Sequence, residues 1–169
     1  MMNRLALHIP TENELEYRRH LIADEETMAY NIGYGGNGSG CYFQTIEQVR
    51  QWYKHWNNGL DNFYAYIIRI DDNVPIGEVD IHYSNYCMKY IVGVVIEAKY
   101  RGNGYSTEAL CLLAAHAFNI MKLDAIYDDF PAERKAAEHA FSKAGFVRIS
   151  DEFVELKKER YYHIKEVNQ

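Results

Sequence analysis

Cysteine is scarce in this chain of 169 residues. Cys41, Cys87 and Cys111 fall at no spacing used by a zinc centre or a redox pair, so neither a disulfide scaffold nor a metal site is expected. Long apolar runs are missing too. No stretch reaches about 18 consecutive apolar residues, and the amino terminus lacks the hydrophobic segment of a secretion signal, which argues against a membrane partner and predicts a cytoplasmic protein. No dense basic run occurs, and 24 acidic residues against 18 basic ones give a formal charge of -6, which disfavours a nucleic-acid backbone as partner. A cationic small molecule or a peptide amine suits that charge better. Nor does any Pro/Gly/Ser-rich linker divide the chain, so residues 1–169, with 48% hydrophobic content, read as one domain around one core.

What is present is periodicity. Leu5, Leu7 and Ile9 alternate as a strand that Pro10 ends, and Thr11 with Glu14 forms a capping-box pattern opening a helix. Five glycines between Gly33 and Gly40 predict a loop. Thr45 and Gln48 start a second helix carrying Val49, Trp52, Tyr53 and Trp56, stopped at Asn57-Asn58-Gly59. Residues 63–70 and 75–83 read as a hairpin, and 90–96 as a further strand. A long helix follows near Gly104 with an apolar stripe, then a strand over 123–127 and a helix over 132–143. Residues 153–157 and 161–167 close the chain as an antiparallel ribbon. Phe153, Tyr161, Tyr162 and Ile164 on this ribbon offer a face for a homodimer or for packing within the chain. The predicted class is α/β (α+β), with a mixed, mostly antiparallel central sheet flanked by helices: hairpins in the middle, helical crossovers near the end.

The junction at 94–106 carries most information. Val94-Val95-Ile96 ends a strand, Arg101-Gly102-Asn103-Gly104-Tyr105-Ser106 makes a glycine-bearing turn, and a helix starts at once. The first amides of a helix lack acceptors within it, so such a turn gathers N–H groups into a site for a phosphorylated ligand. The glycine loop at 33–40 is no second phosphate loop, since it lacks the Gly-Lys-Ser/Thr ending.

At these residues the sequence resembles the GNAT superfamily of acetyl-CoA-dependent N-acetyltransferases, whose diphosphate-binding motif is Arg or Gln, two variable residues, Gly, one variable residue, then Gly or Ala. Arg101 and Gly104 match, and Ser106 replaces the last small residue. Lys143-Ala144-Gly145-Phe146 resembles the family's later helix exit, whereas Lys135-Ala136-Ala137 stands where the family has an Asn-x-x-Ser-like helix start. Element order extends the likeness to nearly the whole chain, and it looks nearest to the branch of ribosomal-protein alanine and antibiotic-modifying acetyltransferases.

The resemblance implies acetyl-CoA as cosubstrate, no metal, and an amine-bearing small molecule or peptide as acceptor. Its cofactor contacts map onto Val94, Val95 and Ile96 through their backbones, and onto Arg101, Gly102, Asn103, Gly104, Tyr105 and Ser106. The strand Gly77-Glu78-Val79-Asp80-Ile81-His82 sets Glu78, Asp80 and His82 on one face, which is either solvated or supplies the base for the acceptor's ammonium. Glu78 is favoured slightly over Asp80; His82 is an alternative, because imidazoles titrate near neutrality. The family's thiol-protonating tyrosine corresponds to Phe141, which has no proton to give, so either another tyrosine, with Tyr90 and Tyr127 as strand-borne candidates, or solvent protonates the thiolate. Tyr30, Tyr34, Tyr42, Trp52 and Trp56 crowd the expected acceptor side, as pocket wall or as ordinary helix stripe. The competing function is an acyl-CoA-binding sensor or scaffold that has lost transfer.

Overall fold

The computed structural model describes residues 4–33, 37–57 and 61–167. Seven strands form one mixed sheet: β1 (Leu5–His8), β2 (Phe63–Arg69), β3 (Val74–Ser84), β4 (Lys89–Ile96), β5 (Ala125–Asp129), β6 (Val147–Arg148) and β7 (Phe153–Lys157), in the spatial order β1-β2-β3-β4-β5-β7-β6. All neighbours run antiparallel except β4 and β5. The helices are α1 (Glu16–Leu21), α2 (Glu25–Met28), α3 (Ile46–Trp56), α4 (Tyr105–Asn119), α5 (Lys135–Lys143) and α6 (Lys158–Val167).

Strand alternation sorts the side chains onto two faces. Phe63, Ala65 and Ile67 of β2, Val79 and Ile81 of β3 and Val92 and Ile96 of β4 join Ala109, Leu110, Leu113, Ala117 and Phe118 of α4 in the main core. The intervening residues Tyr64 and Tyr66 meet Leu15, Val49 and Tyr53 in a second core under α1 and α3. In α4 the buried positions recur at three- and four-residue spacing, so one helical stripe covers the sheet. Its first turn is tied to the sheet edge by Glu108, which accepts from the Arg4 and Leu5 N–H groups at 2.6 and 3.1 Å.

One element departs from the sequence reading. Residues 161–167 are not the second strand of a ribbon but part of α6, and β7 pairs instead with β5 and β6. Tyr161 and Ile164 fit a strand's apolar face by residue type, yet they stand three apart and dock helically. Tyr161 lies 5.1 Å from Phe118 ring to ring, and Ile164 fills the space beside Gly145, where a Cβ would sit 2.6 Å from Ile164 Cδ1. Arg160 Nε donates to Gly145 O at 2.7 Å, and Lys158, Glu159, Lys165 and Glu166 are good helix formers. Helix α5 also begins at Lys135, later than the expected 132. The Thr11 capping box opens a short 3-10 turn over Glu12–Glu14 ahead of α1. Tyr34 and the centre of the glycine loop, with Asn58 and Gly59, lie outside the described residues.

Candidate active site

Strands β4 and β5 share a single register pair, Ile91 with Tyr127, and part beyond it. On its other side β4 is fully paired with β3, from Lys89 to Ile96. The N–H of Glu97 donates to Ile76 O at 2.9 Å, which fixes the phase of that ladder. Residues 91, 93 and 95 therefore bond to β3, and Val92, Val94 and Ile96 turn their N–H and C=O groups towards β5. Past the Ile91–Tyr127 bridge no strand among the described residues receives them. The Ile96 carbonyl is taken by Arg101 Nε at 3.1 Å, so Val94, with both main-chain groups facing the gap, is its principal hydrogen-bonding element. Val95, paired with Glu78, directs its main chain at β3 instead.

The glycine turn closes the open end of this gap. Gly102 and Gly104 have φ of 80° and 77°, the left-handed region that glycine enters without steric cost, and Gly104 caps α4. The turn's carbonyls are occupied: Asn103 Nδ2 donates to Tyr100 O and Arg101 O at 3.0 and 3.1 Å, and Arg4 Nη1 donates to Asn103 O at 3.1 Å. The amides of Gly104, Tyr105, Ser106 and Thr107 belong to the helix's first turn and have no acceptor within it. What the turn presents is thus a set of donors at a positive helix end, a fit for a diphosphate. Arg101 itself reaches inward, donating to Glu26 O at 3.3 Å and to Thr27 O, and so fastens the turn to α2. Thr27 Oγ1 adds to this by accepting from the Ala98 N–H at 3.0 Å.

The three ionisable residues of β3 divide. Glu78 is only 6% exposed; its Oε1 pairs with Arg18 and its Oε2 accepts from Tyr64 OH at 2.5 Å. Arg18 lies 3.5 Å over the Trp52 ring. Burial, with the Glu78 charge behind it, holds the Tyr64 phenol well above its ordinary range and keeps it a donor. Both oxygens of Glu78 are thus engaged in a buried ion-pair cluster. Asp80 is more open; its Oδ1 meets His82 Nδ1 at 3.1 Å, and the His82 ring lies 5.1 Å from Trp56. Opposite Asp80 in β4 stands Gly93, and the carboxylate lies over it where a side chain would otherwise be.

Tyr127 sits at the vertex of the gap rather than along its open arms. Its ring is under Lys89 Nζ at 4.9 Å, and burial together with a hydrogen bond to Glu155 pushes its phenol up to about 12. Tyr90 precedes the vertex and donates to Asp61 at 3.2 Å. Trp52 and Trp56 form the inner stripe of α3, 5.2 Å apart, with Trp56 also reaching His82. Tyr30 lies 5.7 Å below the Arg134 guanidinium and within electrostatic reach of Glu78 and Asp80. Phe153, Tyr161, Tyr162 and Ile164 make contacts within the chain, Tyr162 OH donating to Asn119 at 2.8 Å.

Two residues of the gap, Gly93 and Asp128, escaped the sequence reading. Gly93, a lone glycine inside an apolar strand, carries the usual mark of a close approach, here that of Asp80. Asp128 follows Tyr127 on the free arm of β5, and Arg134 precedes α5. An aspartate at a strand position whose neighbours Ile126 and Val154 are core was the available signal for Asp128. Surface grooves of about 530 Å³ beside His8, Glu14 and Tyr17, and about 420 Å³ beside His116 and Ile120, lie apart from this gap. Among the described residues no helix is long and apolar enough to cross a membrane.

The fold has counterparts among solved structures. The chain is similar to an acetyltransferase of the GNAT family from Bacillus anthracis at 21% identity, covering 94% of this chain and 98% of that one with a TM-score of 0.72. It is similar to spermidine N-acetyltransferase from Vibrio cholerae, solved with CoA and spermine, at 17% identity over 95% and 99% of the two chains, TM-score 0.77. It also resembles apo FdhC, a nucleotide-linked sugar GNAT, at 20% identity over 98% and 93%, TM-score 0.76. No curated protein matches in sequence. The family model described as acetyltransferase (GNAT) domain matches residues 4–147. The chain therefore belongs to the GNAT family of acetyltransferases.

Proposed function

We propose that the protein transfers the acetyl group of acetyl-CoA to a primary amine of a small molecule or a protein amino terminus, by direct attack of the amine on the thioester. The observation that carries this reading is the gap: Val94 turns its main chain towards a space that no strand among the described residues fills, at the end closed by the amides of Gly104 to Thr107. In this reading those amides hold the diphosphate, and the Val94 main chain holds the pantetheine arm and the acyl oxygen. Bound there, coenzyme A supplies an activated acyl group.

The protein's own residues then manage the acceptor. An amine attacks only when neutral, so its ammonium proton must leave. The Asp80–His82 pair supports that role better than Glu78, whose oxygens are engaged by Arg18 and Tyr64. With Nδ1 donated to Asp80, His82 keeps Nε2 as proton acceptor. Trp56 and Tyr30 flank the approach. Acidic groups on both sides of the gap, Asp80 of β3 resting on Gly93 of β4 and Asp128 and Asp129 on β5, favour a cationic acceptor. The similar Vibrio cholerae enzyme, solved with spermine, makes alkyl polyamines the first acceptors to try.

The test is thiol release from acetyl-CoA across a panel of spermidine, spermine, amino acids, aminoglycosides and short peptides, with mass analysis of the product. Gain of one acetyl group on an amine supports the reading. Absence of coenzyme A binding by calorimetry to the folded protein overturns it.

A further inference from the structure

The proposed transfer releases a thiolate, and the position that resembles the family's proton-donating tyrosine is Phe141, buried between Phe130 and Phe146. Two partly buried carboxylates border the gap on opposite faces of the sheet: Asp80 of β3, which rests on Gly93 of the β4 arm, and Asp128 of the β5 arm. Asp80 shares the α1–α3 face with Tyr64, its register partner. Asp128 alternates with Tyr127 and pairs with Val154, a member of the α4-side core, so it occupies the other face, one residue past the last β4–β5 bridge. The glycine turn opens α4, on that same side. In the proposed transfer, a thioester entering the gap from the turn would pass its sulfur on the face of Asp128 and turn its acyl carbon towards the face of Asp80.

Resting on the proposed acetyl transfer, we infer that Asp128 is the proton donor to the departing thiol, in place of the tyrosine that Phe141 cannot supply. One carboxyl oxygen, Oδ1, accepts the Asp129 N–H at 2.8 Å, which leaves Oδ2 to carry the proton. As the amine nitrogen bonds to the carbonyl carbon, the carbon–sulfur bond breaks with its electron pair moving to sulfur, and the sulfur takes the Oδ2 proton. Asp128 then regains a proton from water at the open end of the gap, and the nitrogen's surplus proton leaves through Asp80 and His82. Half-buried Asp128 is suited to hold a proton at neutral pH: burial pushes its carboxyl up to about 8, the Asp129 N–H bond opposes this, the charges of Asp129 and Asp80 add to it, and Arg134 opposes it.

The experiment follows kcat against pH for the wild type, Asp128→Asn and Arg134→Gln, using acetyl-CoA and whichever panel amine is turned over, with carboxyl-carbon NMR titration of the free protein alongside. Wild-type kcat should fall as Asp128 loses its proton. Asp128→Asn should lower kcat roughly a hundredfold and remove that alkaline fall, with the KM for acetyl-CoA little changed. Arg134→Gln, which removes a positive charge, should move the fall to higher pH, and it serves if Asp128→Asn does not fold. In the NMR titration one carboxyl should keep its proton at neutral pH in the wild type and vanish in Asp128→Asn. An unchanged alkaline limb in both variants, or carboxyls that all titrate in the ordinary acid range, overturns the inference while acetyl transfer stands. No turnover of any amine by the wild type overturns both.

Discussion

The carboxylate of Asp80 occupies the room that Gly93 leaves: a Cβ built on Gly93 would stand 2.3 Å from Asp80 Oδ2. The pair lies in register across β3 and β4, so the glycine lets an acidic side chain rest on the strand that borders the gap. Gly93→Ala should displace this carboxylate, break its contact with His82 and cut kcat tenfold or more by a rough estimate for a mis-set proton acceptor. The telling measurement is the double variant. If the glycine acts through Asp80, Gly93→Ala in an Asp80→Ala background should cost little further activity, because the clash is already gone. Equal losses in both backgrounds would mean that Gly93 acts by another route.

Glu78 makes the opposite case. Replacing it by glutamine leaves Arg18 buried over Trp52 without its counter-charge, and breaking one partner of such a pair costs about 3–5 kcal/mol. Chemical denaturation should report that loss. The pH dependence of kcat in the surviving folded fraction should keep its wild-type shape. A shifted profile with undiminished stability would restore Glu78 as the base.

Gly104 sets the amides of the turn by its left-handed backbone, not by crowding, since a Cβ there would meet only Arg4 Nη2 at 3.7 Å. Gly104→Ala should therefore fold, at a conformational cost of about 1–2 kcal/mol. Calorimetry should find weaker coenzyme A binding, and the KM for the acceptor amine should change far less. Arg101→Ala is expected to differ by destabilising the fold as well, because its guanidinium bonds the main chain of α2 and β4.

The difference between these residues explains what could be read from the sequence. The Val94 to Ser106 junction, the β2–β3 hairpin and the α4 stripe were legible because each is set by local chemistry: β-branched runs, left-handed glycines and helical spacing. The shared face of Glu78, Asp80 and His82 followed from strand period alone. Their separate fates did not, since Arg18 comes from 60 residues away and Gly93 from the neighbouring strand. The inward course of Arg101 likewise depends on where α2 docks. The strand reading of 161–167 failed because aromatic and β-branched residues suit a strand by type, whereas Phe118 and Gly145 receive them at helical spacing.

Asp128 gives a stability signature that needs no substrate. Its carboxyl moves from an ordinary 3.8 to about 8, raised first by burial, so the folded chain keeps a proton that the unfolded chain releases. More protons bound in the folded state means that stability falls as pH rises, beginning near the unfolded value and complete only above about pH 8. Asp128→Asn removes that titration while keeping an acceptor oxygen for the Asp129 N–H. Its melting temperature relative to wild type should therefore rise steadily from about pH 5 to about pH 8 and level off beyond. A gain that is the same at every pH, or that grows towards acid, would mean that the carboxyl is already ionised in the folded protein at neutral pH and has no proton to lend.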